Sequence, residues 1–483
     1  MADVDLDAAI AVTRFGLGAK AGEIEQAKRD PRGHLQAQIR TEGADQPQQG
    51  GESAKQRIGE FRDYRADKKA TKRARAEGDA EKSADARDPV KRAQRMLREE
   101  TGGDFVARAR LATETSAGFR ERWALFWANH FTVSAIKLAT ATVVGPFEQE
   151  AIRPNVFGKF AGLLGAAEAH PAMLLYLDQA QSVGPHSWLA EKIGERTNRA
   201  RGVGQSGPAL PRKIPGLNEN LAREILELHT VGVDGGYSQA DVSEFARAMT
   251  GLSLGGPQDP ESAYGASVFR NIAHEPGERT VMGRHYRAGG KEQAGAILAD
   301  LAAMPQTARH ISHKIARHFI SDTPPQSLVD RLTDVWLSSD GNLTRVAAAL
   351  IDAPESWDPI PAKFKTPYEF IISSCRACDA PAPDIRQLAP TLTSLGQKPF
   401  AAPSPKGWPE ETEAWAAPDA IVKRMVWAQR FSQSLPGDRD PKSIAVQALG
   451  ARLRPATATA IARAESRAEG LALLLMSPEF QRR

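Results

Sequence analysis

The stretch FRERWALFWANHF, residues 119–131, decides the fold class. Its large apolar side chains recur at three- and four-residue steps, which is the period of one face of an α-helix. Phe119, Trp123 and Trp127 share that face. The same period recurs in SQADVSEFARAMTG, residues 238–251, and in TARHISHKIARHFISD, residues 307–322. We therefore expect a mainly α-helical protein.

Strand patterns are scarce in the rest of the sequence. Short β-prone pieces around Pro276-Gly277 and Gly283 predict a small hairpin, so we expect a small β-containing insert at residues 254–290. No repeat recurs with the period of a solenoid. We expect a single large multi-helix domain over residues 1–483, with residues 398–418 as an ordered loop rich in Pro and Trp.

The net charge of +4 is concentrated in one segment. Residues 55–100 hold fifteen Lys or Arg against ten Asp or Glu. A run of mixed sign is typical of a solvated helix, so we expect a charged helical excursion at residues 51–103. Apart from Tyr64 the run lacks aromatic residues for base stacking, which disfavours a nucleic-acid site.

The sequence carries no signal for export or for membrane insertion. MADVDLDAAIAVTRFGLG, at the start, is acidic where an export signal has a basic region. The best apolar run, FAGLLGAAEAHPAMLLYL, is interrupted by Glu168, His170 and Pro171, short of the ~20 apolar residues that span a bilayer. We expect no membrane span and, by default, a cytoplasmic protein.

The two cysteines, Cys375 and Cys378, have the C-x2-C spacing of a redox pair or of half a zinc site. A structural zinc site needs two further ligands, and no second pair is present. We expect two thiols on the apolar face of a helix.

A second stretch, GLNENLAREILELHTVGVDGG, residues 216–236, concentrates polar groups that could carry chemistry. On an α-helix Asn220, Glu224 and Glu227 share one face, and an apolar face lies beside it. His229 follows Glu227 by two residues and points elsewhere, which disfavours the Glu-x-x-His spacing of di-iron bundles.

Two interpretations of this helix remain open. Arg223 forms i,i+4 opposite-charge pairs with Glu219 and Glu227, so the polar face could simply stabilise the helix. Alternatively, the density of amide and carboxylate groups beside a long loop is what a polar pocket requires.

Further candidates lie outside this helix. His130 ends the aromatic face of residues 119–131, a position that favours a hydrogen-bonded core histidine over a ligand. Asp178 follows an apolar run and could cap a turn. His310, His313 and His318 crowd one predicted helix beside Lys314, a cluster that could bind an anion or a metal. The common hydrolase, kinase and dehydrogenase motifs are absent.

Seven motifs in order carry a resemblance to a known family. They are FWANHFTVS, HPAMLLYLDQAQS, GLNENLAREILELHTVGVDGGYSQADVSEFARAMTG, HEPGERTVMG, HKIARHFISDTPP, KFKTPYEF and GQKPFAAPSPKGW. Read together, from about Ala9 to the C-terminus, they resemble the bacterial family called domain of unknown function 1800. The resemblance implies a predominantly helical fold and no established reaction. Ala128 departs from the family pattern, which often has a polar residue or histidine there, and the two cysteines fall outside it.

The resemblance also implies site residues and a partner. The family pattern falls on Asn129, His130, Asp178, Asn218, Glu219, Asn220, Arg223, Glu224, Glu227, His229, Lys314 and Lys365. Genes of the family commonly neighbour those of a sulfatase-like family, domain of unknown function 1501, whose members often carry an export signal. A sulfatase-like partner, and export together with it, are therefore implied for this chain.

Two hypotheses for function follow. In the first, the protein is a hydrolase-like enzyme that uses a divalent metal or acid/base groups. Its catalytic residues would be Glu224, Glu227, His229, His130 and Asp178, and its substrate-binding residues Asn129, Asn218, Asn220, Arg223, Lys314 and Lys365. In the second, it is a non-catalytic binding or escort protein for a sulfatase-like partner, with the charged segment as its contact arm. A third possibility, a purely structural helical scaffold, predicts that substitutions across residues 216–236 are tolerated.

Overall fold

The aromatic stretch forms a buried helix, as its periodicity predicts. In a computed structural model, which describes residues 4–48, 51–77, 87–202, 216–256 and 259–483, this helix is Gly118–His130. Phe119, Trp123 and Trp127 are fully buried, and the ring of Trp123 lies 5.9 Å from that of Phe319 on a helix distant in sequence. Large aromatic side chains bury much apolar surface, so this helix organises the main core.

The N-terminal segments pack around this core. They comprise the helices Val4–Ile10, Glu23–Ala27 and Pro31–Gln36, the π-helix Ala11–Phe15, and the long helices Ala54–Ala76 and Arg87–Glu114. The two long helices pair with each other and contain most of the predicted charged excursion. The buried Arg57 donates to both carboxylate oxygens of Asp104 at 3.1 Å, which joins the pair near its base.

The central segments are short helices that alternate with turns. They are Leu138–Ala141, Val144–Phe147, Phe160–Glu168, Pro171–Tyr176, Trp188–Gly202, Asn220–Glu224 and Gln239–Met249, with π-helices Glu148–Ile152 and Ile225–His229 and 3-10 turns Arg153–Asn155 and Gln179–Gln181. Helix Gln239–Met249 begins with the expected capping box between Ser238 and Asp241.

In the described part of the chain, the β-strands form two separate antiparallel pairs rather than one hairpin. Leu252–Leu254 pairs with Ser267–Phe269, and Arg279–Val281 pairs with Arg284–Tyr286. The second pair is the expected hairpin, and its turn places Met282 and Gly283 at positive φ. The 3-10 turns Glu261–Ala263 and Asn271–Ala273 lie beside these strands. The mainly α-helical class with a small β insert is thus confirmed.

The C-terminal third completes the helical body. Its helices are Lys291–Ala303, Pro305–Phe319, Gln326–Ser338, Leu343–Asp352, Pro367–Ala377, Ile385–Ser394, Thr412–Trp415, Pro418–Ser434, Pro441–Leu449, Pro455–Ala462, Arg467–Met476 and Pro478–Gln481, with 3-10 turns Pro354–Trp357 and Gly450–Arg452. The last of them, with part of Pro367–Ala377, enclose a second, smaller apolar core.

Cys375 and Cys378 are both buried, and burial raises the pKa of each thiol to about 12, so neither thiol is deprotonated near neutral pH.

Within the described ranges, no helix combines the length and apolar character needed to cross a bilayer.

Candidate functional site

The polar helix changes its winding in the middle. Asn220–Glu224 is α-helical, but the next turn, Ile225–His229, is a π-helix. A π turn brings residues five apart into line, so Glu224 and His229 come onto the same side. The α-helical spacing used in the sequence analysis separated them. Such insertions are frequent at functional sites.

A histidine and a glutamate meet in the core at the end of this turn. Nδ1 of His229 lies 2.7 Å from Oε1 of Glu168, and the side chains are 0% and 1% exposed. The contact does not have the alignment of a hydrogen bond. Within the described residues, neither nitrogen of His229 and neither oxygen of Glu168 has a hydrogen-bond partner. Buried polar atoms are rarely left so, and each case calls for an explanation.

A second histidine lies against the first. The rings of His130 and His229 have centroids 5.7 Å apart, and Nε2 of His130 lies 3.3 Å from the carbonyl oxygen of His229. Burial, with Lys314 as the next cause, lowers the pKa of His130 well below its usual value. The ring is therefore neutral: its Nδ1 accepts from Nζ of Lys314 at 2.9 Å, and its Nε2 donates to the carbonyl.

Lys314 and His310 extend this cluster along helix Pro305–Phe319. Burial lowers the pKa of Lys314 to about 8, with Lys406 and Arg317 adding to the shift and Glu410 opposing it. Burial and then Lys314 lower the pKa of His310 to about 4. These shifts show that positive charge is disfavoured here, since the groups are desolvated and repel one another.

Glu224 provides the carboxyl group of the cluster that is accessible to solvent. It is half-buried, and burial raises its pKa, with Glu227 and Glu168 adding to the rise and His229 opposing it. Burial and then Glu224 raise the pKa of Tyr176 to about 12. The structure thus brings four predicted site residues into one neighbourhood, namely His130, Glu224, His229 and Lys314.

Other predicted site residues have partners of their own. Asn129 clamps the backbone of Trp408, accepting from its N–H at 2.8 Å and donating to its carbonyl at 3.1 Å. Asp178 pairs with Lys137 at 3.0 Å at the surface. Asn218 donates to the carbonyl of Leu177 at 2.9 Å.

The remaining predicted site residues lie at the edge of the cluster or away from it: Arg223, Asn220, Glu227 and Lys365. Arg223 makes both expected i,i+4 contacts, at 3.3 Å to Glu219 and 3.5 Å to Glu227, while Asn220 is exposed. Lys365 is buried near the C-terminal core, where it donates to the hydroxyl of Ser373 at 3.0 Å. Burial lowers its pKa well below the usual value.

Three residues of the cluster were not among the sequence-predicted site residues: Glu168, Tyr176 and His310. Glu168 gave a usable signal, because it is a carboxylate inside an otherwise apolar run. Tyr176 gave no signal that separates it from ordinary core residues, whereas His310 stood out in the sequence as part of the histidine cluster beside Lys314.

A metal was one cofactor that the sequence allowed. Among the described residues, the only three His, Cys, Asp or Glu ligand atoms within 4.8 Å of one another belong to Glu52, Glu60 and Glu100. That group lies beside Arg57, at 2.9 Å from Glu52 and 3.8 Å from Glu100. The described residues of the His229 cluster do not present such a set.

The fold and the cluster together define a mainly α-helical protein with buried, mutually coupled histidine, lysine and carboxyl groups. Its family follows from comparison with known proteins. The model of the family described as "Protein of unknown function (DUF1800)" matches residues 10–482, so the chain belongs to that family. No curated protein and no solved structure matches the chain.

Proposed function

We propose that the protein is an acid/base enzyme with a hydrolytic reaction, centred on His229, Glu168 and Glu224. The observation that carries the proposal is the buried contact between His229 and Glu168, whose polar atoms lack hydrogen-bond partners among the described residues. Burying ionisable groups without satisfying them costs stability. A catalytic role is one explanation of such unsatisfied buried groups in a native protein.

Glu224 is the proposed acid/base group. Its raised pKa brings it closer to the operating pH, which favours proton transfer in both directions. It is also the half-buried member of the set, so that a substrate can reach it. The fully buried Glu168 holds the ring of His229, a positioning role rather than a catalytic one.

His130 and Lys314 are proposed to set the charge of the site. Lys314 carries a proton at neutral pH, because its lowered pKa is still about 8. Its ammonium group is held by the neutral ring of His130 and has no carboxylate in direct contact among the described residues. A substrate with a negative group would relieve the repulsion around Lys314, so we propose an anionic substrate.

The test is turnover of a panel of chromogenic p-nitrophenyl carboxylate, phosphate and sulfate esters. We expect one class to be hydrolysed and Glu224→Gln to lose at least about a hundredfold in rate, as is typical of acid/base groups. Glu219→Gln is the matched control, because Glu219 lies on the same helix but points to Ser243 and Gln239.

Two outcomes would remove the proposal: no turnover of any ester, or equal rates for Glu224→Gln and the wild type. Adding EDTA to the assay distinguishes acid/base catalysis by these side chains from metal-dependent catalysis. Acid/base catalysis by these side chains predicts the same rate with and without EDTA, whereas loss with EDTA and recovery with a divalent cation would show metal catalysis.

A further inference from the structure

A polar cavity lies beneath the predicted Pro/Trp-rich loop, away from the His229 cluster. Its volume is about 80 Å³, and Trp408, Pro409 and Glu410 of the loop form one wall. An adjoining cavity of about 60 Å³ shares Asn129 and Trp408 with it. At ~30 Å³ per water molecule, the larger cavity has room for a group of a few heavy atoms. His130, His229 and Lys314 do not line it.

The loop over this cavity is fixed rather than loosely placed. The amide of Asn129 bonds both backbone groups of Trp408, and the indole of Trp415 donates to the carbonyl of Pro409 at 2.9 Å. Gly407 has φ +87°, and a Cβ there would lie 2.5 Å from the backbone oxygen of Asn129. These contacts therefore hold the loop in place over the cavity.

The cavity wall carries an excess of positive side chains. Arg122 and Arg483 are 2–3% exposed and share a single carboxylate, Glu369. Arg108 is a third guanidinium of the wall and pairs with Glu148 at 3.2 Å, and Glu410 is the second carboxylate of the wall. Nε of Arg108 and Nε of Arg483 have no hydrogen-bond partner among the described residues, so these guanidinium groups keep donors for an anion.

Besides these two arginine nitrogens, the hydroxyl of Tyr368 and Nε2 of His318 lack hydrogen-bond partners among the described residues. Tyr368 is 5% exposed, and its hydroxyl is available as a donor. Nδ1 of His318 bonds Oε1 of Glu410 at 2.7 Å. Burial lowers the pKa of His318, so the neutral ring donates through Nδ1 and presents Nε2 as an acceptor.

We propose that this cavity binds a small oxyanion that carries a proton, such as hydrogen phosphate or hydrogen carbonate. The guanidinium groups and the hydroxyl of Tyr368 would bind its negative oxygens. The hydroxyl group of the anion would donate a hydrogen bond to Nε2 of His318, an interaction that sulfate cannot make near neutral pH. The proposal does not depend on the acid/base centre, because the two sites share no lining residue.

Titration calorimetry with sodium phosphate and sodium sulfate, at equal ionic strength near neutral pH, tests this directly. Bicarbonate in a third titration distinguishes the two candidate anions. We expect saturable binding of phosphate or bicarbonate and at least about tenfold weaker binding of sulfate, since a hydrogen bond to a charged group accounts for such a factor. Absence of saturable binding, or equal binding of sulfate, would overturn the proposal.

Tyr368→Phe removes only a hydroxyl without a partner, so the fold should tolerate it. We expect at least about tenfold weaker binding of the preferred anion, with Tyr264→Phe as the control because Tyr264 lies away from the cavity beneath Arg62. Unchanged binding in Tyr368→Phe would overturn the proposal. If that variant does not fold, Arg108→Gln decides in its place: weakened binding is expected, and unchanged binding contradicts the site.

Discussion

His229 and Glu168 contact each other at 2.7 Å inside the core, although they lie in distant segments of the sequence, and neither side chain is more than 1% exposed. Helix Phe160–Glu168 supplies the carboxylate at its last residue, and the π turn Ile225–His229 supplies the imidazole at its last residue. Two helix ends thus place ionisable groups where an apolar pair would be easier to bury. The account of function depends on this pair.

The first prediction concerns the coupling of His229 and Glu168. His229→Leu and Glu168→Leu should each destabilise the protein by about 2 to 4 kcal/mol, because each removes the 2.7 Å contact and leaves the other polar side chain alone in the core. The double variant should cost clearly less than their sum. Urea unfolding measures all three. The exposed pair Lys137 and Asp178 is the control and should couple by less than about 1 kcal/mol. Additive costs for the buried pair would contradict the account.

The second prediction concerns Glu224 and the pH dependence of stability. Because the folded state raises the pKa of this carboxyl above 4.5, the folded protein binds its proton more tightly than the unfolded chain does. Its contribution to stability is therefore present at low pH and lost as pH rises through the raised pKa. Glu224→Gln should unfold at higher urea than the wild type at neutral pH, and this difference should shrink below the unfolded pKa. A variant less stable than the wild type at neutral pH would argue against a raised pKa.

The third prediction concerns Lys314, whose contribution to stability changes with pH in the opposite direction. Its folded pKa of about 8 lies below the usual 10.5, so between these values the unfolded chain binds more protons. Stability from this group rises with pH across that window. The stability of the wild type relative to Lys314→Met should increase from pH 8 to pH 10. A flat difference over this range would mean that the ammonium is not desolvated.

The fourth prediction tests a buried network that supports the core. Arg153 is 0% exposed and bonds both Glu121 and Glu148, at 2.7–2.9 Å. Although burial would raise the pKa of Glu148, Arg108 and Arg153 hold it below its usual value. Arg153→Met should cost about 3 to 5 kcal/mol, because it leaves two carboxylates buried together. Thermal unfolding checks this, and a loss under about 1 kcal/mol would show that the carboxylates rearrange.

Asn129 gives the fifth prediction, which concerns the loop at residues 398–418. Asn129→Leu removes both hydrogen bonds to Trp408 and should loosen this loop while the core stays folded. Limited proteolysis should then cut within the loop faster than in the wild type. Asn218→Leu is the control, because its amide bonds Leu177 elsewhere. Equal cutting in Asn129→Leu and the wild type would show that the clamp does not hold the loop.

The sequence predicted the fold class well because the signals that determine it are local. The period of residues 119–131 and the capping box at Ser238 are read directly from neighbouring residues, and both predict correct elements. The π turn at Ile225–His229 has no such local signal, so the sequence analysis placed Glu224 and His229 on an ideal α-helix. The difference changes which groups share a face.

The composition of the cluster was predictable only in part, because it depends on contacts between distant segments. His130, Glu224, His229 and Lys314 could be named from motifs, but their pairing with Glu168 could not. Asn129 and Asp178 belong to similar motifs but have other partners. Asn129 bonds the backbone of Trp408, and Asp178 forms a surface ion pair with Lys137. A sulfatase-like partner remains a prediction from the family resemblance. Deleting the charged helices Ala54–Ala76 and Arg87–Glu114 would test whether they bind this partner.

In the proposed function, Glu224 transfers a proton during hydrolysis. The pH dependence of kcat/KM for an ester that the protein hydrolyses, compared between the wild type, Glu224→Gln and Glu219→Gln, tests this role. The account predicts an acidic limb in the wild type and in Glu219→Gln, set by a pKa above the usual 4.5 of a glutamate, and its disappearance with most of the rate in Glu224→Gln. An acidic limb that persists unchanged in Glu224→Gln would contradict it.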